Sequence, residues 1–263
     1  MCFHSDEYIK ICKQEFQKCI DLGADGILYD ENHHHAHTLC CFDISHGHRY
    51  GVSTYAADER LIDEFRVMLK EQAGDREFLI AGETSYDFQM NYYDVSYGRT
   101  WGRGHIPVSR MMRPNANIMT AVIGFNDRSM INQCLLNRYI ISYEPFNFKG
   151  LLSDYPATVK YGNMMDKLRT DLRGYFWDGI FQNKVGGIVM ANGDEHPYYT
   201  VYKNADDMLG MIICNYEEEK SITVCPTLAN GQELSKYRLV DDDGLTAFSG
   251  SFIIPPMSAA AII

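Results

Sequence analysis

The sequence predicts an α/β protein: the C-terminal portion of a (β/α)8 TIM-type barrel over residues 1–180, then a small antiparallel β-sandwich over 181–263. Three observations carry this reading. Helical and strand patterns alternate along the first two thirds of the chain, as they do in a parallel sheet. Beyond Gly179 the pattern changes to short apolar runs between hairpin signals, with no helix. Acidic residues also recur at the ends of the predicted strands, where parallel barrels place their chemistry.

The first element is a helix. Tyr8, Cys12, Phe16, Cys19 and Ile20 recur at three- and four-residue steps, Asp6 and Glu7 suit its N-terminus, and Gly23 stands at the C-terminal cap position. A short apolar run, 25–29, ends in Asp30-Glu31. After a His-rich loop, Leu61, Ile62, Phe65, Met68 and Leu69 trace an amphipathic helix closed by Gly74, and the strand Glu77–Ala81 ends in Gly82-Glu83. Ile106–Met111 reads as a strand with Arg110 and Arg113 at its end, Arg128–Asn137 as a helix, and Tyr139–Tyr143 as a strand ending at Glu144-Pro145. A longer helix spans Pro156–Phe176. In the sandwich, apolar runs at 208–214, 222–225, 237–240, 252–254 and 259–263 alternate with the turn signals Asn192-Gly193, Asn230-Gly231 and Asp243-Gly244.

Composition narrows the function classes. At 46% hydrophobic the chain is globular, and a formal charge of −11 repels phosphate backbones and anionic membranes. A neutral partner therefore suits this surface, of which an oligosaccharide or glycoside is one class, and no nucleic acid or membrane is expected; no cofactor is expected either. Tyrosine is abundant, at 18 residues, and its flat ring suits sugar faces as well as core packing. Eight cysteines without a CxxC pair read as reduced thiols in a cytoplasmic setting.

Hydrolysis of a glycosidic bond needs two carboxyl groups, one to protonate the leaving oxygen and one to attack or to activate water. Asp30, Glu31, Glu83 and Glu144 stand at three predicted strand ends. Any one of them could instead pair with Arg110, Arg113 or Arg128, or cap a helix. The runs 22–31, 78–83, 124–128 and 141–146 (LGADGILYDE, FLIAGE, GFNDR and ISYEPF) resemble a group of glycoside-hydrolase-like bacterial proteins, broadly similar to alpha-galactosidase-type barrels. The tail IIPPMSA, 253–259, resembles the sandwich that closes many such enzymes. The resemblance implies that Asp30 is the nucleophile or oxocarbenium stabiliser and Glu83 the proton donor, although Glu83 departs from the two-aspartate pattern of those barrels. The alternative pair, Glu31 with Glu144, resembles the two-glutamate barrels but lacks their Asn-Glu dipeptide.

His33, His35, Trp101, Arg110, Arg113, Asp127 and Arg128 are the candidate substrate contacts. The loop from His33 to His48 also allows a metal site, most simply His33, His35 and His37, and with it a metal-dependent hydrolase. A third reading is a non-catalytic carbohydrate-binding protein with a degenerate barrel. Trp177, at the end of the long helix, reads as a wedge between the barrel part and the sandwich. A full barrel takes about 250 residues, so the 180 before the sandwich hold roughly four or five units, and further strands are expected upstream.

Overall fold

The computed structural model describes residues 1–30, 39–72, 74, 76–83, 88–100, 102–145 and 149–263. The chain forms two compact units, Met1–Gly98 and Arg99–Ile263. No helix among the described residues is long and apolar enough to cross a membrane.

In the first unit, helix α1 (Asp6–Asp21) starts at Ser5, whose side chain accepts the Tyr8 N–H, and carries Asp6 and Glu7 against the positive end of its dipole. Three parallel strands follow in order: β1 (Gly26–Tyr29), β4 (Leu79–Gly82) and β5 (Val95–Tyr97). Between the first two lie the short antiparallel pair β2 (Cys40–Cys41) and β3 (Val52–Ser53), and helix α2 (Asp58–Gln72). The apolar faces of α1 and α2 share one core with the sheet, in which Ile9, Phe16, Leu61, Ile62, Phe65 and Ile80 are buried and Phe16 stacks on Phe65 with centroids 4.1 Å apart. Each such side chain contributes about 1.5–3 kcal/mol. Gly26 begins β1 because a Cβ there would meet the Leu79 carbonyl oxygen at 2.7 Å.

The second unit opens with α3 (Val108–Met112), β6 (Ile118–Val122), α4 (Arg128–Asn137), β7 (Tyr139–Tyr143), α5 (Pro156–Asp171) and α6 (Arg173–Phe176). Strands β6 and β7 are parallel, from Ile118 beside Tyr139 to Val122 beside Tyr143. Ten short strands then follow: β8 (Ile180–Phe181), β9 (Gly187–Ala191), β10 (Asp194–Glu195), β11 (Tyr199–Lys203), β12 (Leu209–Cys214), β13 (Ile222–Leu228), β14 (Lys236–Leu239), β15 (Thr246–Ala247), β16 (Phe252–Ile254) and β17 (Ala259–Ile262). They form two sheets, ordered β10-β9-β13-β16 and β15-β14-β17-β12-β11-β8. The sandwich core contains Val189, Val201, Met211, Ile213, Val224, Phe252, Ile254 and Ile262. Strand β13 alternates buried and exposed residues, whereas β12 is buried throughout, because α4 covers the other face of its sheet. There Thr200 and Tyr202 both donate to the Leu136 carbonyl, and the Cys214 thiol donates to that of Asn132.

One expected strand is a helix. The apolar residues of Ile106–Met111 suggest a strand, but Val108–Met112 is helical and begins after Pro107, a residue that cannot donate to a ladder. The parallel strand of this region is β6, ten residues further on. The expected helix over 156–176 breaks at Leu172, which caps α5 and precedes α6.

Candidate active site

In the first unit the sheet registers Ile27 with Ile80, Leu28 with Ala81 and Tyr29 with Gly82, so Asp30 and Glu83 are the next residues on two adjacent parallel strands. The Glu83 N–H donates to the Tyr29 carbonyl at 3.3 Å, extending the ladder past the last paired residues. Ile27 and Tyr29 pack against the helix core, with the Tyr29 ring 6.1 Å from that of Phe65. Side chains alternate along a strand, so Leu28 and Asp30 leave the sheet on the face opposite the helices, and Glu83 follows Ala81 on that same face. Asp30 is exposed and Glu83 half-buried. Burial and the neighbouring Cys12 thiol hold the Tyr29 phenol protonated far above the usual tyrosine range, as expected of a core residue.

The second unit repeats the backbone arrangement. The Glu144 N–H donates to the Val122 carbonyl at 3.0 Å, so Glu144 is also the first residue beyond a parallel strand. Its environment is different: it is only 5% exposed. Nearby, Tyr155 donates its hydroxyl to the Val122 carbonyl. Burial, and then the charges of Glu144 and Asp127, push that phenol up to about 12.

A cleft of about 320 Å³ opens in this unit near the N-terminal end of β7, between His105, Gln133, Asn137, Tyr198 and Tyr216. No carboxylate occurs among its described lining residues. Burial lowers the His105 pKa, and its Nε2 lies 2.9 Å from the Tyr139 hydroxyl. Hydrolysis by a carboxylate pair has no residues to use there.

No protein-family model matches the sequence, and no curated protein matches it. Among solved structures, the chain is similar to a GH27 β-L-arabinopyranosidase from Geobacillus stearothermophilus that was solved with arabinose. The TM-score is 0.52 at 10% identity, covering 95% of this chain and 60% of that one. It is also similar to a noncanonic maltogenic α-amylase, AmyB, from Thermotoga neapolitana, with a TM-score of 0.56 at 11% identity, covering 98% of this chain and 66% of that one. The chain has a glycoside-hydrolase-like fold. The likeness is α/β and partly barrel-like, and the chain spans less than two thirds of either neighbour's length.

Within this glycoside-hydrolase-like fold the expected site residues separate. Asp30 and Glu83 directly follow register-matched residues of two neighbouring strands. Glu31, His33, His35, His37 and Trp101 lie outside the described residues. Arg110 is 0% exposed, and its guanidinium donates to the carbonyls of Asn137, Arg113, Pro114, Ala116 and Arg138, which leaves it no free edge for a sugar. It belongs to the scaffold at the N-terminal side of β7, and burial with the charge of Arg138 pushes its pKa down to about 10. Arg113 caps the end of α3. Asp127 caps α4, accepting the Met130 and Gly124 N–H groups on its two oxygens. Arg128 is held by Asp241 at 3.1 Å and lies 4.2 Å over the Tyr161 ring. Trp177 stacks under the Arg169 guanidinium at 4.6 Å, just before the sandwich begins.

Two further groupings lie in the first unit. Asp58 is buried and accepts from Gln89 and from the Tyr93 hydroxyl. Cys2, Cys41, His46 and His48 also converge: His46 and His48 belong to the loop that the sequence offers as a metal site, whereas Cys2 stands 39 positions before Cys41 and joins them only through the fold.

Proposed function

We propose that this protein is a glycoside hydrolase, or the C-terminal barrel portion and closing sandwich of one, in which Asp30 and Glu83 are the reacting carboxyl pair. The supporting observation is that the two acids follow register-matched residues on neighbouring parallel strands, on one face of the sheet, in a glycoside-hydrolase-like fold. Adjacent strands lie about 4.7–4.9 Å apart. That spacing favours a retaining pair, whose carboxyl groups stand about 5–5.5 Å apart, over an inverting one.

In this mechanism the Asp30 carboxylate attacks the anomeric carbon. The bond from that carbon to the leaving oxygen breaks as Glu83 gives that oxygen its proton. Glu83, now a carboxylate, takes a proton from water, whose oxygen displaces Asp30 from the glycosyl ester and frees the sugar. The acidic surface suits a neutral glycoside, and a neighbour solved with arabinose supports a pyranoside as the class to try first. Eight free thiols agree with a reducing, cytoplasmic setting.

The test is an assay of the protein on aryl pyranosides, with the anomer of the first product read by NMR. Turnover with retention is expected. Sugar binding with no turnover on any of them would instead support a carbohydrate-binding protein, and inversion would remove Asp30 as nucleophile.

A further inference from the structure

We propose that Cys2, Cys41, His46 and His48 hold one zinc ion in a closed structural site. One donor atom from each residue lies within 4.8 Å of all the others. The Cys2 Sγ is 3.5 Å from the His48 Nε2, and the Cys41 Sγ is 3.3 Å from the His46 Nδ1. A tetrahedral ion with Zn–S near 2.3 Å and Zn–N near 2.0–2.1 Å places its sulfur and nitrogen ligands about 3.5 Å apart. Two edges of the cluster already have that length, and the rest, all within 4.8 Å, need to close by no more than about 1.5 Å.

The surroundings orient both imidazoles as ligands. The His48 Nδ1 lies 2.8 Å from the Arg49 carbonyl, which can only accept, so that nitrogen carries the proton and Nε2 offers its lone pair toward Cys2. The His46 Nε2 faces the Asp43 carboxylate at 3.6 Å while its Nδ1 faces Cys41. Asp43 is itself fixed by accepting from the Ser45 backbone and hydroxyl. A carbonyl and a carboxylate behind two histidines are the outer partners that metal-bound imidazoles use. Residues 44–46 form one turn of 3₁₀ helix closed by Gly47 at φ +76°, a left-handed conformation that brings His46 and His48 to the same side.

The chemistry of the set selects the ion. Two thiolates and two imidazoles are soft to intermediate donors with no carboxylate among them, which favours zinc over magnesium, calcium or manganese. Four protein ligands leave no position for water or substrate, so the site is structural. Two thiolates also cancel the dication's charge, and loading releases their protons.

The ion would join the start of the chain to the β2–β3 pair, beside which the Phe3 N–H donates to the Thr54 carbonyl. Phe3 is 3% exposed and packs on Tyr8 and Tyr55, so the ion would fasten an anchor of the first unit's core. This zinc site is independent of any catalysis by Asp30.

The test is the metal content of the full chain, expressed with zinc in the medium and purified without chelators. One zinc per chain is expected. Cobalt substitution should give the intense visible bands of a tetrahedral ion together with thiolate-to-cobalt charge transfer. Cys2→Ser with Cys41→Ser should abolish both signals, and His48→Gln should weaken them. Cys40→Ser and Cys225→Ser, at exposed cysteines, should leave both unchanged. The cobalt spectrum of the unaltered protein needs no variant to fold. Zinc content in the unaltered protein no higher than in the double variant would overturn the proposal. So would a Cys2–Cys41 disulfide in freshly purified protein, or metal that survives the double variant and is lost on replacing His33 and His35.

Discussion

Glu83 and Glu144 occupy the same backbone position in the two units, each the first residue past a parallel strand, with its N–H bonded to the last carbonyl of the strand beside it. They differ in what surrounds them. Glu83 is half-buried beside the exposed Asp30, while Glu144 is 5% exposed near Tyr155 in a unit laced with buried arginines. A strand end therefore supplies direction and alignment, and the packing around it decides whether a carboxylate is available for chemistry. In the first unit Asp30 is exposed and Glu83 half-buried. In the second, polar groups are spent on holding backbone together: Arg110 and Arg169 donate to main-chain carbonyls at the start of β7, and Arg138 to those of Trp177 and Gly179.

The contrast predicts where substitutions act. Largest is the catalytic effect: Glu83→Gln should cost about 10²–10⁴ in turnover of a substrate with a poor leaving group, with Asp30→Asn at least as severe. Asp30→Asn should move stability by no more than about 0.5 kcal/mol, since Asp30 is exposed. Turnover is read by steady-state kinetics and stability by denaturant titration, and a large stability loss in Asp30→Asn would break the contrast. The converse holds for Arg110→Met, where five carbonyls lose their donor at about 1–3 kcal/mol for each buried acceptor left unmade. That variant should unfold the second unit outright, seen as loss of its cooperative transition.

Gly162→Ala should have an intermediate effect. A Cβ at that position would stand 2.0 Å from the Tyr143 hydroxyl oxygen, and overpacking of this kind costs about 1–3 kcal/mol. The Tyr143 hydroxyl has no hydrogen-bond partner among the described residues, so adding Tyr143→Phe should restore most of the loss. Failure of the pair to recover would mean that the ring, not the hydroxyl, sets the fit of α5 on β7.

The smallest effect is on pH dependence. Burial lowers the His196 pKa, and its Nε2 lies 2.8 Å from the Cys214 carbonyl. At high pH the ring is neutral in both folded and unfolded chains. As pH falls through the unfolded value of about 6.5, the unfolded chain takes up a proton that the folded one resists, so stability declines with acidification. His196→Gln should flatten that slope in denaturant titrations of the second unit between neutral and mildly acidic pH.

Much of the framework was legible in the residues because it rests on local patterns. Helix α1, helix α4 and strand β7 follow from period and caps, and the Asn192-Gly193 turn joins β9 to β10 with both residues at positive φ. What was not legible depends on distance or on length. Strand β5 has three residues, too few to show alternation. Strand β6 was passed over for Ile106–Met111, whose apolar residues belong to a helix start. Arg110 looks like a substrate clamp in sequence, and only the fold shows it collecting carbonyls from 113–116 and 137–138. The acids were legible as strand-end residues, but their pairing depends on the β1–β4 register. The Cys2, Cys41, His46 and His48 cluster had a partial signal in the closely spaced Cys41, His46 and His48; Cys2 joins it only through the fold.

The central claim, that Asp30 and Glu83 divide the work of one site, is tested most directly by comparing the two variants across leaving groups. Glu83→Gln should nearly retain kcat/KM on a dinitrophenyl glycoside, whose leaving group needs no proton, while its kcat there falls because no base activates water, and it should lose both on an alkyl glycoside; added azide should raise that kcat and yield a glycosyl azide of retained configuration. Asp30→Asn should be inactive on both. If Asp30→Asn turned over the dinitrophenyl glycoside at the unaltered rate, or if Glu83→Gln lost kcat/KM equally on both substrates, the assignment would be contradicted.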